Sequence, residues 1–157
     1  MTEPLFRRIV VPIANRDDAT ATATALRPHV AGTDRTVIVV HVIEKSSGAP
    51  DKASVEQRKR YAEDVFAIVS DEFDDSRISI ETDLRYGTDI ATAIIDAAHD
   101  SDASAIAFTP RGGSRWRKLL TGDVSHNLIE DSDIPVLVLP RPNGERSASE
   151  IRRNARD

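Results

Sequence analysis

Short apolar runs rich in β-branched residues are separated along this chain by stretches of helical period, the pattern of a parallel sheet wrapped by helices. The first strand is expected over Arg7 to Ala14, where Ile9, Val10 and Val11 are contiguous and apolar, as a strand covered on both faces must be. Asp17 and Asp18 then offer an N-cap, Ala21, Ala25, Leu26 and Val30 share one helical face, and Gly32 is placed to end that helix. The second strand is Thr36 to Ile43. Ser54-Val55-Glu56-Gln57 spells a capping box for a helix whose core face is Tyr61, Val65, Ile68, Val69 and Phe73. Ile78, Ile80, Thr82 and Leu84 alternate with polar residues, the mark of a third strand at a sheet edge. Gly87-Thr88-Asp89 starts a helix with Ile90, Ile94, Ala97 and Ala98 inside. The fourth strand is Ala103 to Phe108, the last helix Asp123 to Asp131 and the fifth strand Ile134 to Leu139.

Right-handed crossovers and helices on both faces make this an α/β fold, a single open doubly wound sheet of five parallel strands in the order 3-2-1-4-5. A chain of 157 residues accommodates one such domain, over residues 1–140. The tail, 141–157, is charged, carries Pro142 and Gly144 and lacks a long apolar pattern. It is expected to be disordered or to form a short helix capped by Ser147-Ala148-Ser149-Glu150.

Cysteine is absent, which removes disulfides, thiolate metal sites and a cysteine nucleophile. No apolar run approaches the roughly 18 residues of a membrane span, and Met1-Thr2-Glu3-Pro4 lacks the features of a signal peptide. A soluble, cytoplasmic protein is expected, not a membrane protein. The formal charge of −5 argues against nucleic acid as a partner. His29, His41, His99 and His126 show no metal-ligand spacing, so no metal is expected. Ser125 and His126 are sequence neighbours that do not face each other on a helix, and no catalytic residue is assigned.

In doubly wound sheets ligands bind at the carboxyl ends of the strands, near the point where strand order reverses. That places Ala14, Asn15, His41, Val42 and the loop from Thr109 along one rim. Ile106-Ala107-Phe108 opens into Thr109-Pro110-Arg111-Gly112-Gly113-Ser114-Arg115-Trp116-Arg117-Lys118, and a helix signal follows from Gly122. Strand, basic glycine-bearing loop and helix N-terminus frame a phosphate site, because orphan amides and flexible backbone both point at an anion. Arg111, Arg115, Arg117 and Lys118 suit a small anionic ligand or an acidic protein partner; the competing reading is a solvated loop that neutralises carboxylates elsewhere. Trp116 either covers a ligand ring or pins the loop to the domain or to a second subunit. Val136, Leu137, Val138 and Leu139 should lie at an open sheet edge, which invites pairing with a second copy as a homodimer.

Four segments, in order and correctly spaced, carry a signature: Ile9-Val10-Val11-Pro12, His41-Val42-Ile43, Leu119-Leu120-Thr121-Gly122-Asp123-Val124-Ser125 and Ile134-Pro135-Val136-Leu137-Val138. Through them the chain resembles the universal stress protein family across about residues 7 to 140. The resemblance implies the five-stranded sheet, dimerisation and, in one branch, ATP bound through G-x-x-G-x9-G-(S/T). Carried onto this chain, the candidate nucleotide- or anion-binding residues are Pro12, Ile13, Ala14, Val42, Phe108, Thr109, Arg111, Gly112, Gly113, Gly122, Asp123, Val124 and Ser125.

The motif here reads Thr109-x-x-Gly112-x9-Gly122-Asp123, and Ala14 stands where the nucleotide-binding branch usually has Asp. Thr109 precedes Pro110 and is biased toward extended backbone. Asp123 puts a carboxylate where a hydroxyl would donate to phosphate; at about 4 Å and an effective dielectric of about 20 the repulsion is on the order of 4 kcal/mol. Asp123 either caps its own helix or holds Mg²⁺ against a triphosphate. Ala14 removes an acceptor for adenosine, which Asn15 or Asp17 lies near enough to replace. The function so implied is a small cytoplasmic stress-response and regulatory binding module, non-catalytic, with a degenerate site and no resident cofactor. The alternative is a genuine Mg-ATP-binding stress protein with at most slow hydrolysis. Association with a membrane transporter, the role of some relatives, has no support in these residues.

Overall fold

The computed structural model describes residues 4–31, 34–44, 52–74, 77–109 and 123–140. Within them the chain runs β1 (Arg8–Pro12), α1 (Arg16–Val30), β2 (Thr36–Glu44), α2 (Lys52–Glu72), β3 (Ser79–Gly87), α3 (Ile90–Asp100), β4 (Ala105–Phe108), α4 (Asp123–Asp131) and β5 (Val136–Val138). The strands form one parallel sheet in the order β3-β2-β1-β4-β5, as the sequence pattern predicts. Gly32, the basic loop with Trp116 and the tail 141–157 lie outside the described residues.

Period-two alternation divides the core between the faces of the sheet. Ile9, Val11, Ile13, Val37 and Val39 pack with Ala19, Ala23, Leu26 and Val30 of α1 and Val65 and Val69 of α2. Val10, Ile38, Val40 and Ile106 pack on the other side with Ala91, Ile94, Ala97 and Ala98 of α3 and Leu128 of α4. The apolar runs are contiguous because both faces are covered. The outer strand β3 has only half-buried and exposed positions, as an edge does.

Local hydrogen bonding moves several expected boundaries. Asn15, not Asp17 or Asp18, caps α1: its side-chain oxygen accepts from the Asp18 amide at 2.8 Å. The second helix already begins at Lys52, so Ser54 lies within its first turn instead of capping it. Gly87 closes β3 in register with Glu44, and the cap of α3 falls to Asp89, which accepts from the Thr92 amide at 3.1 Å.

Three strands, β1, β4 and β5, are shorter than the sequence pattern implies. After α3 the Ala103 amide reaches back to the Ala98 carbonyl at 2.9 Å and the Asp102 amide to His99 at 3.2 Å, with Asp102 left-handed at φ 57°. These are the paired bonds of a Schellman ending, and they hold Ala103 out of β4. Ile134 is kept from β5 by a tight turn in which its amide donates to the Ser132 hydroxyl at 3.0 Å while that hydroxyl donates to the Ile134 carbonyl at 2.7 Å.

Arg85 ties β3 to the end of α3, bonding Asp83 at 2.9 Å and Asp100 at 2.9 Å. Burial acts to lower the proton affinity of its guanidinium, but the hydrogen bonds and charges of Asp100 and Asp83 outweigh it and raise the pKa. The contribution of that raised pKa is complete below the ordinary arginine range and is lost only as pH climbs through and above it.

Candidate functional site

The carboxyl end of β1 continues as Ile13, whose amide donates to the Val40 carbonyl at 2.9 Å, so the backbone stays against β2 past the last paired residue. The Ile13 carbonyl in turn accepts from Nδ1 of His41 at 2.8 Å, and this bond draws the imidazole, only 7% exposed, to the floor of the rim. Tyr61 of α2 packs on it, with ring centroids 6.1 Å apart and planes inclined at 56°. The Arg16 amide donates to the Tyr61 hydroxyl at 3.3 Å, the Arg16 guanidinium lies over the phenol ring at 5.1 Å, and the same guanidinium pairs with Asp64 at 2.8 Å. The start of α1 thereby clamps α2 over the end of β2.

Between them opens a cavity of about 630 Å³ lined by Ala14, His41, Val42, Ile43, Glu44, Gln57, Arg58 and Tyr61. That volume is within the range of small-molecule sites. His41, Ile43 and Val42 are buried or half-buried, whereas Glu44, Gln57 and Arg58 are exposed. Arg58 reaches across to the Glu44 carbonyl at 3.3 Å.

A second network closes the other side of the rim. The hydroxyls of Thr22 and Thr109 are 2.6 Å apart and buried, at 0% and 5% exposure. Thr22 donates its one proton to Asp18 Oδ1 at 3.2 Å, so Thr109 must be the donor to Thr22. The other oxygen of Asp18 accepts from the Ala14 amide at 2.9 Å. Thr109 is therefore turned toward α1, held where the nucleotide-binding motif has glycine.

Of the sequence-derived candidates, Pro12, Ile13, Ala14, Val42, Phe108 and Thr109 share this rim, and Ala14 and Val42 line the cavity. Val124 is half-buried and Ser125 buried on α4. Asp123 is the first residue of α4; its side chain lies outside the described residues, with Arg111, Gly112, Gly113 and Gly122. Asn15, one suggested substitute for the acceptor missing at Ala14, uses its side chain as the helix cap. Asp18, Thr22, Tyr61, Gln57 and Arg58 were not legible as site residues. Asp18 alone had a local signal, a carboxylate six residues past the end of β1; the others arrive by tertiary packing.

The remaining histidines are engaged elsewhere: His29 stacks on Phe6 at 5.1 Å, His99 contacts Asp133 at 2.7 Å, and His126 lies 3.4 Å from Glu130 on its own helix. Among the described residues no cluster of three or more His, Cys, Asp or Glu side chains could hold a metal, and no helix is long and apolar enough to cross a membrane.

A family model described as the universal stress protein family matches residues 5–140. A search of curated protein sequences returns no significant match. Among solved structures, the universal stress protein from Archaeoglobus fulgidus in complex with dAMP is 20% identical, with 87% of this chain and 99% of that one covered and a TM-score of 0.63. A universal stress protein family member from Burkholderia pseudomallei is 18% identical, covering 88% and 99%, with a TM-score of 0.67. One from Arabidopsis thaliana with AMP bound is 12% identical, covering 92% and 98%, with a TM-score of 0.64. At such identities the likeness is one of fold.

Proposed function

Given that this chain belongs to the universal stress protein family, we propose that it is a small cytoplasmic stress-response and regulatory module, non-catalytic, with an altered nucleotide site at the carboxyl rim of its sheet. The observation that carries this reading is the unequal state of the two halves of that rim. The half beneath α2 holds an open cavity with a buried imidazole and an aromatic wall. In the other half the hydroxyl of Thr109 is locked onto Thr22, and a carboxylate residue, Asp123, begins α4. Relatives of the same fold are solved with AMP and with dAMP. The nucleoside half of such a ligand finds its cavity here, while at the start of α4 Asp123 brings a carboxylate where the motif has a hydroxyl for phosphate.

The module acts as a homodimer joined through β5, whose Val138 is 40% exposed, and its occupancy alters the surface shown to a protein partner. Isothermal titration tests the site. AMP should bind, ATP should bind no tighter than AMP, Mg²⁺ should not rescue ATP, and Asp123→Ser should raise ATP affinity by at least tenfold. ATP binding that is tighter than AMP, depends strictly on Mg²⁺ and is lost in Asp123→Ala would instead establish a Mg-ATP protein. Absence of AMP heat at millimolar ligand would refute the nucleotide site altogether.

A further inference from the structure

Resting on that nucleotide-site reading, we infer that His41 is the residue that orients the nucleoside, its Nε2 accepting a hydrogen bond from the base amino group or the ribose 2′-hydroxyl of the ligand. Nδ1 lies 2.8 Å from the Ile13 carbonyl, an oxygen that only accepts, so the ring must carry a proton on Nδ1. With the ring neutral, the lone pair is then on Nε2. The side chain is 7% exposed, and Nε2 has no partner among the described residues. No buried side-chain nitrogen or oxygen there is sealed off without a partner, so Nε2 faces open space, and His41 lines the cavity.

The ring is held for that task from two sides. Ile13 fixes one edge, and Tyr61, itself pinned beneath the Arg16 guanidinium, covers the ring. Beside it the cavity wall is Ala14, Val42 and Ile43, whose side chains offer no hydrogen bond. An oriented acceptor set beside these apolar side chains discriminates strongly, because a ligand without a matching donor leaves it desolvated and unpaired. A nucleoside fits this arrangement: its flat base lies against apolar and aromatic side chains and presents donors at its edge and on its sugar. Glu44, Gln57 and Arg58, the charged and amide side chains of the lining, are exposed to solvent.

The test is AMP titration of the full chain labelled with ¹⁵N-histidine at about pH 8, above the ordinary imidazole range, beside calorimetry of His41→Phe. The Nε2 resonance of His41 should move on AMP addition, and His41→Phe should bind AMP at least tenfold more weakly. Because His41→Phe also removes the bond to Ile13, two analogues probe the unaltered protein. N6,N6-dimethyl-AMP lacks the base donor and dAMP lacks the 2′-hydroxyl; whichever lacks the donor used should bind at least tenfold more weakly and leave Nε2 unmoved. AMP binding with Nε2 unmoved, or equal affinity for AMP and both analogues, overturns the role of His41 and leaves the nucleotide site standing. If AMP does not bind the unaltered protein, the site and the inference fall together.

Discussion

The hydroxyl of Thr109 has one proton, and Thr22 receives it; Thr22 passes its own to Asp18, and Asp18 also takes the amide of Ala14. Three short contacts thus join the ends of β1 and β4 to the first turns of α1. Thr22→Val would keep the shape and strand the buried hydroxyl of Thr109, at a cost of about 1–3 kcal/mol. Urea unfolding should show that loss, while Thr22→Ser, which keeps the relay, should lose less. The chain offers little advance sign of this network. A threonine on the inner face of a helix reads as a neutral filler, and its partner lies 87 residues further on. His41 is under-read in the same way, since the Ile13 carbonyl that sets its tautomer belongs to a different strand.

At the scale of elements, the inner strands were legible because two-sided burial demands unbroken apolar runs, β3 because an edge strand alternates apolar with polar residues, and the helices because one-sided burial demands a stripe. Their ends were not, because ends are decided by single hydrogen bonds. Asn15 rather than Asp17 or Asp18 starts α1 since its oxygen meets the amide three residues on. The join between α3 and β4 depends on Asp102 in a left-handed conformation, φ 57°, that costs an L-residue roughly 1–2 kcal/mol, less for Asp than for most. Asp102→Gly should therefore stabilise the fold by up to about 1 kcal/mol, partly offset by the entropy of a freer unfolded chain. A raised thermal midpoint with unchanged circular dichroism is the expected result; a lowered one would mean that the Asp side chain supports the turn.

For the molecule as a whole, the two outer strands differ in kind. β5 is three residues long, with Val138 exposed and Leu139 turned into the core, so of the four residues expected at a dimer contact Val138 is the one presented outward. Val138→Lys should convert the proposed dimer to monomer in light scattering at micromolar concentration, without loss of helical signal. A mass still dimeric would exclude β5 as the contact. The opposite border, β3, is nine residues long, with Glu81 exposed and Asp83 and Arg85 half-buried, and Arg85 is drawn back toward α3 by Asp100. Charges along an outer strand deter a further strand from adding to it. Growth into a fibril requires adhesion at both borders, and here the longer border is guarded, so association that begins at β5 ends once that one border is covered.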